Sequence, residues 1–358
     1  MFVPVKSRYF SVWEYYGVDL AILRSCFSEV IVCHSLMSLV KNIHGSDVLF
    51  CWWWHRSVLA VLLGRFLRVS TYVTGAIHMF DICEKGVGSD FYKKSWLYRM
   101  ATKISLRFAT ANLFISFDQQ LQVSSHLTVI NPQIIYPAMS QAAEESSRME
   151  LVELECGKTK HRKSCEALGE DSVLFYTTIW HTIEQYTRKG LFETLDGLAH
   201  LKSRGFRKFT WIIAGGIGDG LTVLRERISQ LDLQDFVEIK VDISEDEKNQ
   251  LYDRADLYLQ PSWFEGFGNA VLEANARGLP AVVSRYTAQP EVVGPFGFIA
   301  MQISPESICN EIEKFLSLSF EDRVELRSNV LKHALANFSF VKRQEKLCSL
   351  LSKARMPL

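Results

Sequence analysis

The sequence predicts an α/β protein made of two doubly wound, parallel-sheet domains. Three observations carry that expectation. Short apolar runs suited to buried strands alternate with amphipathic helical runs, the pattern of a parallel sheet covered by helices on both faces. The length, 358 residues, is long for one hydrophobic core and comfortable for two. The stretch 261–284, Pro-Ser-Trp-Phe-Glu-Gly-Phe-Gly-Asn-Ala-Val-Leu-Glu-Ala-Asn-Ala-Arg-Gly-Leu-Pro-Ala-Val-Val-Ser, reads as strand end, glycine loop, short helix, glycine stop and next strand.

Taken in order, residues 1–17 hold no glycine pair, so an opening strand there is short or absent. Strands are expected at 29–33, 48–54, 70–74 and 112–116, with helices between them. Residues 141–171 are polar, charged and weakly periodic, which suits an insertion or connector with a helical turn near 142–154. Alternation resumes with strands at 173–177, 209–214 and 236–241 and helices at 191–202, 221–230 and 245–254. A strand at 257–260 leads into the 261–284 stretch, and helices at 304–317, 320–336 and 338–351 follow it. The expected division is a first domain over 1–165 and a second over 166–337.

Composition narrows the function classes. With 48% hydrophobic and 22% charged residues, the chain has the balance of a soluble globular protein. Forty basic and forty acidic residues cancel, so no electrostatic footprint points to nucleic acid. Eight scattered cysteines without Cys-x-x-Cys fit idle or buried thiols in a reducing cytoplasm better than a disulfide framework or zinc site. No apolar leader core stands in 1–17, and charge interrupts every apolar stretch well short of about 18 residues, so no membrane span is expected. No metal site or bound cofactor is evident.

The chemistry of 261–284 follows from where its helix starts. Gly266 and Gly268 flank Phe267 in a loop that can turn tightly and approach a ligand. A helix is expected from about Asn269 to Arg277, capped near Asn269 and stopped by Gly278 and Pro280. Amides of its first turn lack intrahelical partners and suit a diphosphate. Glu265 and Glu273, eight positions apart, would repel that anion unless they face elsewhere. Hydroxyl groups are their natural partners, because an ionised carboxylate only accepts hydrogen bonds. A diphosphate between two hydroxyl-rich rings describes a nucleotide sugar.

This stretch resembles the Glu-x7-Glu motif of retaining nucleotide-sugar glycosyltransferases of GT-B architecture, most closely glycosyltransferase family 4, with its Pro-Ser-x-x-Glu-Gly-Phe-Gly string and later Gly-x-Pro. The resemblance implies two Rossmann-like domains facing a central cleft, with residues 338–358 crossing back onto the first. It implies that Glu265 contacts the transferred sugar and Glu273 holds the nucleotide ribose. The segment Tyr186-Thr-Arg-Lys-Gly resembles that family's Arg-x-x-x-x-Lys-Gly, whose basic residues stabilise the leaving diphosphate. Lys189 aligns through its Lys-Gly pair. The upstream arginine has no counterpart, since Trp180 and His181 stand in that region, and Arg188 is the substitute. A basic first turn of a surface helix is the plainer alternative. Ala214-Gly-Gly-Ile-Gly-Asp-Gly is glycine-dense but is not a dinucleotide fingerprint; it resembles the family's Ala-Gly-x-Gly turn, which places Gly215 and Gly216 at the nucleotide. Val241-Asp-Ile-Ser-Glu falls where the family contacts the base.

In the first domain, His78 at a strand end resembles the family's His near the transferred sugar, with Asp81 displaced from the usual His-Asp pair. A histidine among apolar residues also reads as structural. Trp54 and His55, in Trp-Trp-Trp-His, are candidate acceptor contacts, against the reading that such a run supplies the core. The function implied is metal-independent, retaining transfer of a sugar from a nucleotide-sugar donor to a hydroxyl of a saccharide acceptor. A lipid-linked surface polysaccharide is one acceptor class, with the protein cytoplasmic and peripheral at the inner face of the membrane. The run Arg56–Arg68 then reads either as a membrane face or as a core-facing crossover helix. Two rivals stand beside this reading: a nucleotide-sugar epimerase on the same double fold, and a non-catalytic homologue that binds a partner glycosyltransferase.

Overall fold

The computed structural model describes residues 1–4, 14–75, 91–157 and 172–352. The chain divides into two compact units, Met1–Gln141 with Asn337–Leu358, and Ala142–Ala336.

In the first unit β1 (Val48–Trp52), β2 (Ser70–Gly75), β3 (Ala111–Phe114) and β4 (Pro132–Ile134) pair in parallel in that order. Phe2 makes parallel bridges to both Cys33 and Cys51, so the first residues lie between residue 33 and β1. An opening strand therefore exists without the glycine pair, reduced to one residue, Phe2, that bridges on both sides. It is held by Phe2 N–H to Phe50 O (2.7 Å) and Trp52 N–H to Phe2 O (3.0 Å). The strand expected over 29–33 contracts to the same bridge at Cys33.

Alternate strand residues serve opposite faces. On one face Leu49, Val73 and Phe114 pack with Leu39 of α2 (Leu36–Asn42), Val61 of α3 (Val58–Phe66), Leu106 of α4 (Trp96–Phe108) and Val123 of α5 (Phe117–His126). On the other, Phe50, Tyr72 and Leu113 pack with Ile22 of α1 (Glu14–Cys26) and with Leu347 and Leu351 of α15 (Phe340–Ser352). The chain's last described helix thus completes the core of the first unit. Arg343 of α15 pairs with Asp19 of α1 at 2.7 Å and donates to the Ile135 carbonyl at 2.8 Å, all of it buried. Cys26 and Cys348 form a disulfide between the same two helices, with Cα atoms 5.8 Å apart. The expectation of idle thiols is corrected there. The two cysteines stand 322 residues apart, and nothing in their spacing announces a bond.

In the second unit β5 (Val173–Thr178), β6 (Phe209–Gly215), β7 (Val237–Val241), β8 (Leu257–Gln260), β9 (Ala281–Ser284) and β10 (Phe298–Ala300) form a parallel sheet of order β10-β9-β8-β5-β6-β7. The strand order reverses between β5 and β8, which makes that pair the topological switch point. Helices α7 (Ile183–Arg188), α8 (Leu191–Ser203), α9 (Leu221–Gln230), α10 (Glu245–Arg254), α11 (Asn269–Asn275), α12 (Gln289–Val293), α13 (Pro305–Leu316) and α14 (Phe320–Phe338) connect and follow these strands. Helix α6 (Gln141–Glu155) lies almost wholly in this unit, anchored by the Ser147 hydroxyl on the Ala276 carbonyl at 2.5 Å. The division thus falls at 141, earlier than the expected 165, and the Ser147 bond to Ala276 joins this polar segment to the second unit. Among the described residues no helix is long and apolar enough to cross a membrane.

Candidate active site

The loops that leave the carboxyl ends of β5 and β8 carry the residues singled out from sequence, and ligands of doubly wound sheets bind at such a switch point. After β5, the Thr182 hydroxyl caps α7 by accepting the Gln185 amide (3.2 Å), and the helix stops at Arg188. Gly190 then takes φ 67°, and a Cβ there would strike the Pro261 carbonyl oxygen. Glycine is required at that point for the Lys-Gly segment to seat against the loop after β8. The Trp263 amide, bonded to the Arg188 carbonyl at 2.8 Å, fixes the same junction.

Four side chains converge there. Lys189 Nζ donates to the Thr178 carbonyl (3.3 Å) and to Gln260 Oε1 (3.1 Å). Gln260 Nε2 donates to Glu265 Oε1 (3.1 Å), and Arg188 pairs with Glu265 Oε2 (3.0 Å). Arg188 also donates to the Phe264 carbonyl (2.9 Å) and Gln185 Oε1 (2.7 Å). The result is a continuous chain Lys189–Gln260–Glu265–Arg188 with a cation at each end. Burial lowers the Lys189 pKa to about 8, opposed by the Glu265 carboxylate. A desolvated ammonium of this kind interacts strongly with any anion brought to it.

The glycine loop is braced from behind. Thr287 Oγ1 accepts the Glu265 amide at 3.0 Å, and buried Gln289 donates to the Gln260 carbonyl at 2.7 Å and accepts the Ser262 amide at 3.2 Å. Gly268, at φ 104°, is the N-cap of α11, so Asn269 is the first helical residue rather than the cap, and the helix ends at Asn275 rather than Arg277. The Phe267 ring is buried, which leaves Gly266 and Gly268 to shape the loop. Glu273, on α11, pairs with Lys248 Nζ at 3.4 Å and stays partly exposed.

The glycine turn after β6 fits flush against the 179–182 loop. A Cβ at Gly215 would strike the Ile179 carbonyl, and one at Gly216 would stand 2.7 Å from the Trp180 ring. Both glycines thus have a packing reason for their identity as well as a place near the switch point. Asp242 holds this turn: its amide donates to Gly215 O (2.8 Å) and its carboxylate accepts the Ile217 amide (3.0 Å). Ser244 and Glu247 of the same segment form a capping box on α10. His181 is buried between Tyr186 OH (2.9 Å) and the Lys240 carbonyl (3.2 Å), and burial lowers its pKa. It does not stand in for the missing upstream arginine.

In the first unit one expectation is overturned. Trp54 is 1% exposed and donates to Asn112 Oδ1 at 2.8 Å, so its indole belongs to the core and is closed to a sugar ring. His55 lies half-buried against Tyr98, ring centroids 4.3 Å apart. His78 and Asp81 lie outside the described residues. Sequence reasoning missed Gln260, Lys248, Thr287 and Gln289. Only Gln260 carried a signal, as a polar residue ending an apolar strand at the head of the glycine loop.

Residues 179–333 match the family described as Glycosyl transferases group 1, which covers the whole constellation above. A 116-residue segment is 34% identical to the MMP alpha-(1->4)-mannosyltransferase of Mycolicibacterium hassiacum, covering 32% of this chain and 28% of that one. A 113-residue segment is 29% identical to the Escherichia coli O-antigen chain mannosyltransferase B, covering 32% and 30%. The chain thus spans under a third of the length of these relatives. Anabaena HepE, solved with UDP and glucose, superposes with a TM-score of 0.65 over 88% of this chain and 80% of its own, at 18% identity. The fold is the GT-B architecture of paired Rossmann-like domains, and the match to the group 1 glycosyl transferases lies within its second unit.

Proposed function

We propose that the protein is a retaining, metal-independent glycosyltransferase of family 4 type, which moves a sugar from a nucleotide-sugar donor to a hydroxyl of a saccharide acceptor. The observation that carries this reading is the Lys189–Gln260–Glu265–Arg188 chain at the switch point, where two cations flank a carboxylate beside a helix start. In this reading Lys189 and Arg188, with the first-turn amides of α11, receive the donor diphosphate and stabilise the charge that grows on its oxygens as the glycosidic bond breaks. Glu265 accepts hydrogen bonds from the transferred sugar, and Glu273 from the ribose. The acceptor hydroxyl attacks from the face the diphosphate leaves, and a leaving oxygen takes its proton, so configuration is kept without a protein base. The names of the mannosyltransferase and O-antigen relatives support a saccharide acceptor, and a lipid-linked surface polysaccharide is the acceptor class of this reading.

The test is a thermal-shift panel with UDP-glucose, GDP-mannose and other nucleotide sugars, followed by turnover with saccharide acceptors. One donor should raise the melting temperature by mass action and be consumed only when acceptor is present. Conversion of the donor to another nucleotide sugar without acceptor would instead identify an epimerase. Donor binding with no turnover on any acceptor would leave a binding homologue.

A further inference from the structure

We infer, resting on the roles proposed above for Lys189 and Glu265, that Gln260 is a positioning residue whose single amide fixes the spacing between these two groups. Strand β8, Leu257-Tyr258-Leu259-Gln260, is buried along its whole length, so a polar side chain at its end needs partners. Gln260 is 1% exposed. Its backbone pairs in register with Val283 of β9, and Gln289 donates to its carbonyl at 2.7 Å. The amide therefore stands on a braced strand end, where a side chain is held more closely than on a loop.

One orientation of that amide fits. Its Oε1 accepts from Lys189 Nζ at 3.1 Å and from the Tyr258 hydroxyl at 3.0 Å, and its Nε2 donates to Glu265 Oε1 at 3.1 Å. The Tyr258 oxygen accepts the Thr178 amide at 3.3 Å, which turns its own proton toward Gln260. Lys189 closes the circuit by donating to the Thr178 carbonyl at 3.3 Å. Turned over, the amide would press N–H groups against an ammonium and a hydroxyl proton, and an oxygen against a carboxylate. Burial holds the Tyr258 hydroxyl well above its ordinary pKa, so it remains a donor.

These contacts decide the residue type. Glutamine offers an acceptor and a donor side by side on one neutral group. Set between Lys189 and Glu265, it bridges them without cancelling either charge. The ammonium keeps its charge for an incoming anion, and the carboxylate keeps Arg188 as its counter-charge. A glutamate of the same shape would put a second carboxylate against Glu265 and a direct counter-charge beside Lys189. A methionine of similar length would fill the space and drop all three bonds.

The test reads Lys189 without any ligand. In protein carrying ¹³C-labelled lysine the carbon beside the ammonium reports its titration, and Lys189→Arg identifies the signal by removing it. Burial first of all sets the Lys189 pKa at about 8, and the charged groups facing it are Glu265 after β8, Arg188 on its own segment and Glu273 on α11. Gln260→Met withdraws an acceptor from the charged form and should move the titration midpoint down. Gln260→Glu adds a carboxylate and should move it up by about one pH unit or more. Calorimetric titration with UDP-glucose and GDP-mannose at neutral pH is the second readout. The nucleotide sugar that binds the wild type should bind Gln260→Met roughly tenfold more weakly. Circular dichroism checks the fold, and Gln260→Glu, which keeps the shape, carries the test if the methionine variant does not fold. Lysine midpoints that stay in place, or donor affinity unchanged in Gln260→Met, reduce Gln260 to a core filler and overturn the inference. A wild type that binds neither nucleotide sugar would instead sink the donor reading, and the lysine midpoints then decide the spacing role alone.

Discussion

Two arginine–carboxylate pairs, one in each unit, show how burial sorts the same chemistry into different uses. Arg343 and Asp19 in the first unit are 4% and 0% exposed and close a core. Arg188 and Glu265 in the second are 20% and 13% exposed, stand on the segments that follow β5 and β8 and share their polar atoms with Gln260 and the Phe264 carbonyl. Burial pushes the Asp19 carboxyl up even with the guanidinium beside it, so desolvation exceeds what the pairing returns. An ion pair with no route to solvent is a fastener. One with a partly open side can exchange partners with a ligand.

Four substitutions or titrations sharpen or break that contrast. The largest effect belongs to the sealed pair: Arg343→Ala leaves Asp19 buried and unpaired, and should cost about 3–5 kcal/mol of stability. Denaturant melts measure it, and a loss under about 1 kcal/mol would place the pair in contact with water. For the open pair, Glu265→Ala should lower transfer by roughly a hundredfold or more while the melting midpoint moves little. Wild-type turnover in that variant would remove Glu265 from the site.

The third is a pH experiment on Lys189. Folding lowers this group from 10.5 to about 8, so between those values the unfolded chain holds a proton that the folded chain has released. Its contribution to stability therefore rises with pH across that window. Donor affinity should run the other way, falling as pH passes about 8 and the ammonium that meets the diphosphate is lost. Calorimetric donor titrations from neutral to alkaline pH test this, and Lys189→Arg, which stays charged, should flatten the fall. The smallest effect is at Trp54→Phe, which strands Asn112 Oδ1 and should cost about 1–3 kcal/mol of stability with no specific change in acceptor KM.

The second unit was legible because its punctuation is strong. Helices expected at 221–230 and 245–254 match α9 and α10 to the residue, since each is fenced by glycine, serine or a buried strand start. The meeting of Lys189 and Glu265 at the switch point was readable for the same reason: each stands in a glycine-marked segment that follows a strand. The first unit was harder to read. Its opening strand is a single bridging residue, Phe2, β4 is three residues with a proline, and the Arg343–Asp19 and Cys26–Cys348 contacts join positions more than three hundred residues apart. Gln260 shows the limit within the legible half. No linear pattern states that one amide will bridge a lysine and a glutamate.

The return of α15 to the first unit also sets an order of events during synthesis. The ribosome finishes Ala142–Ala336 before it supplies Phe340, Arg343, Leu347 and Leu351, so the second unit can fold while the first still lacks one wall. Nascent chains arrested near residue 336, once clear of the exit tunnel, should show a protease-resistant second unit and a sensitive first one.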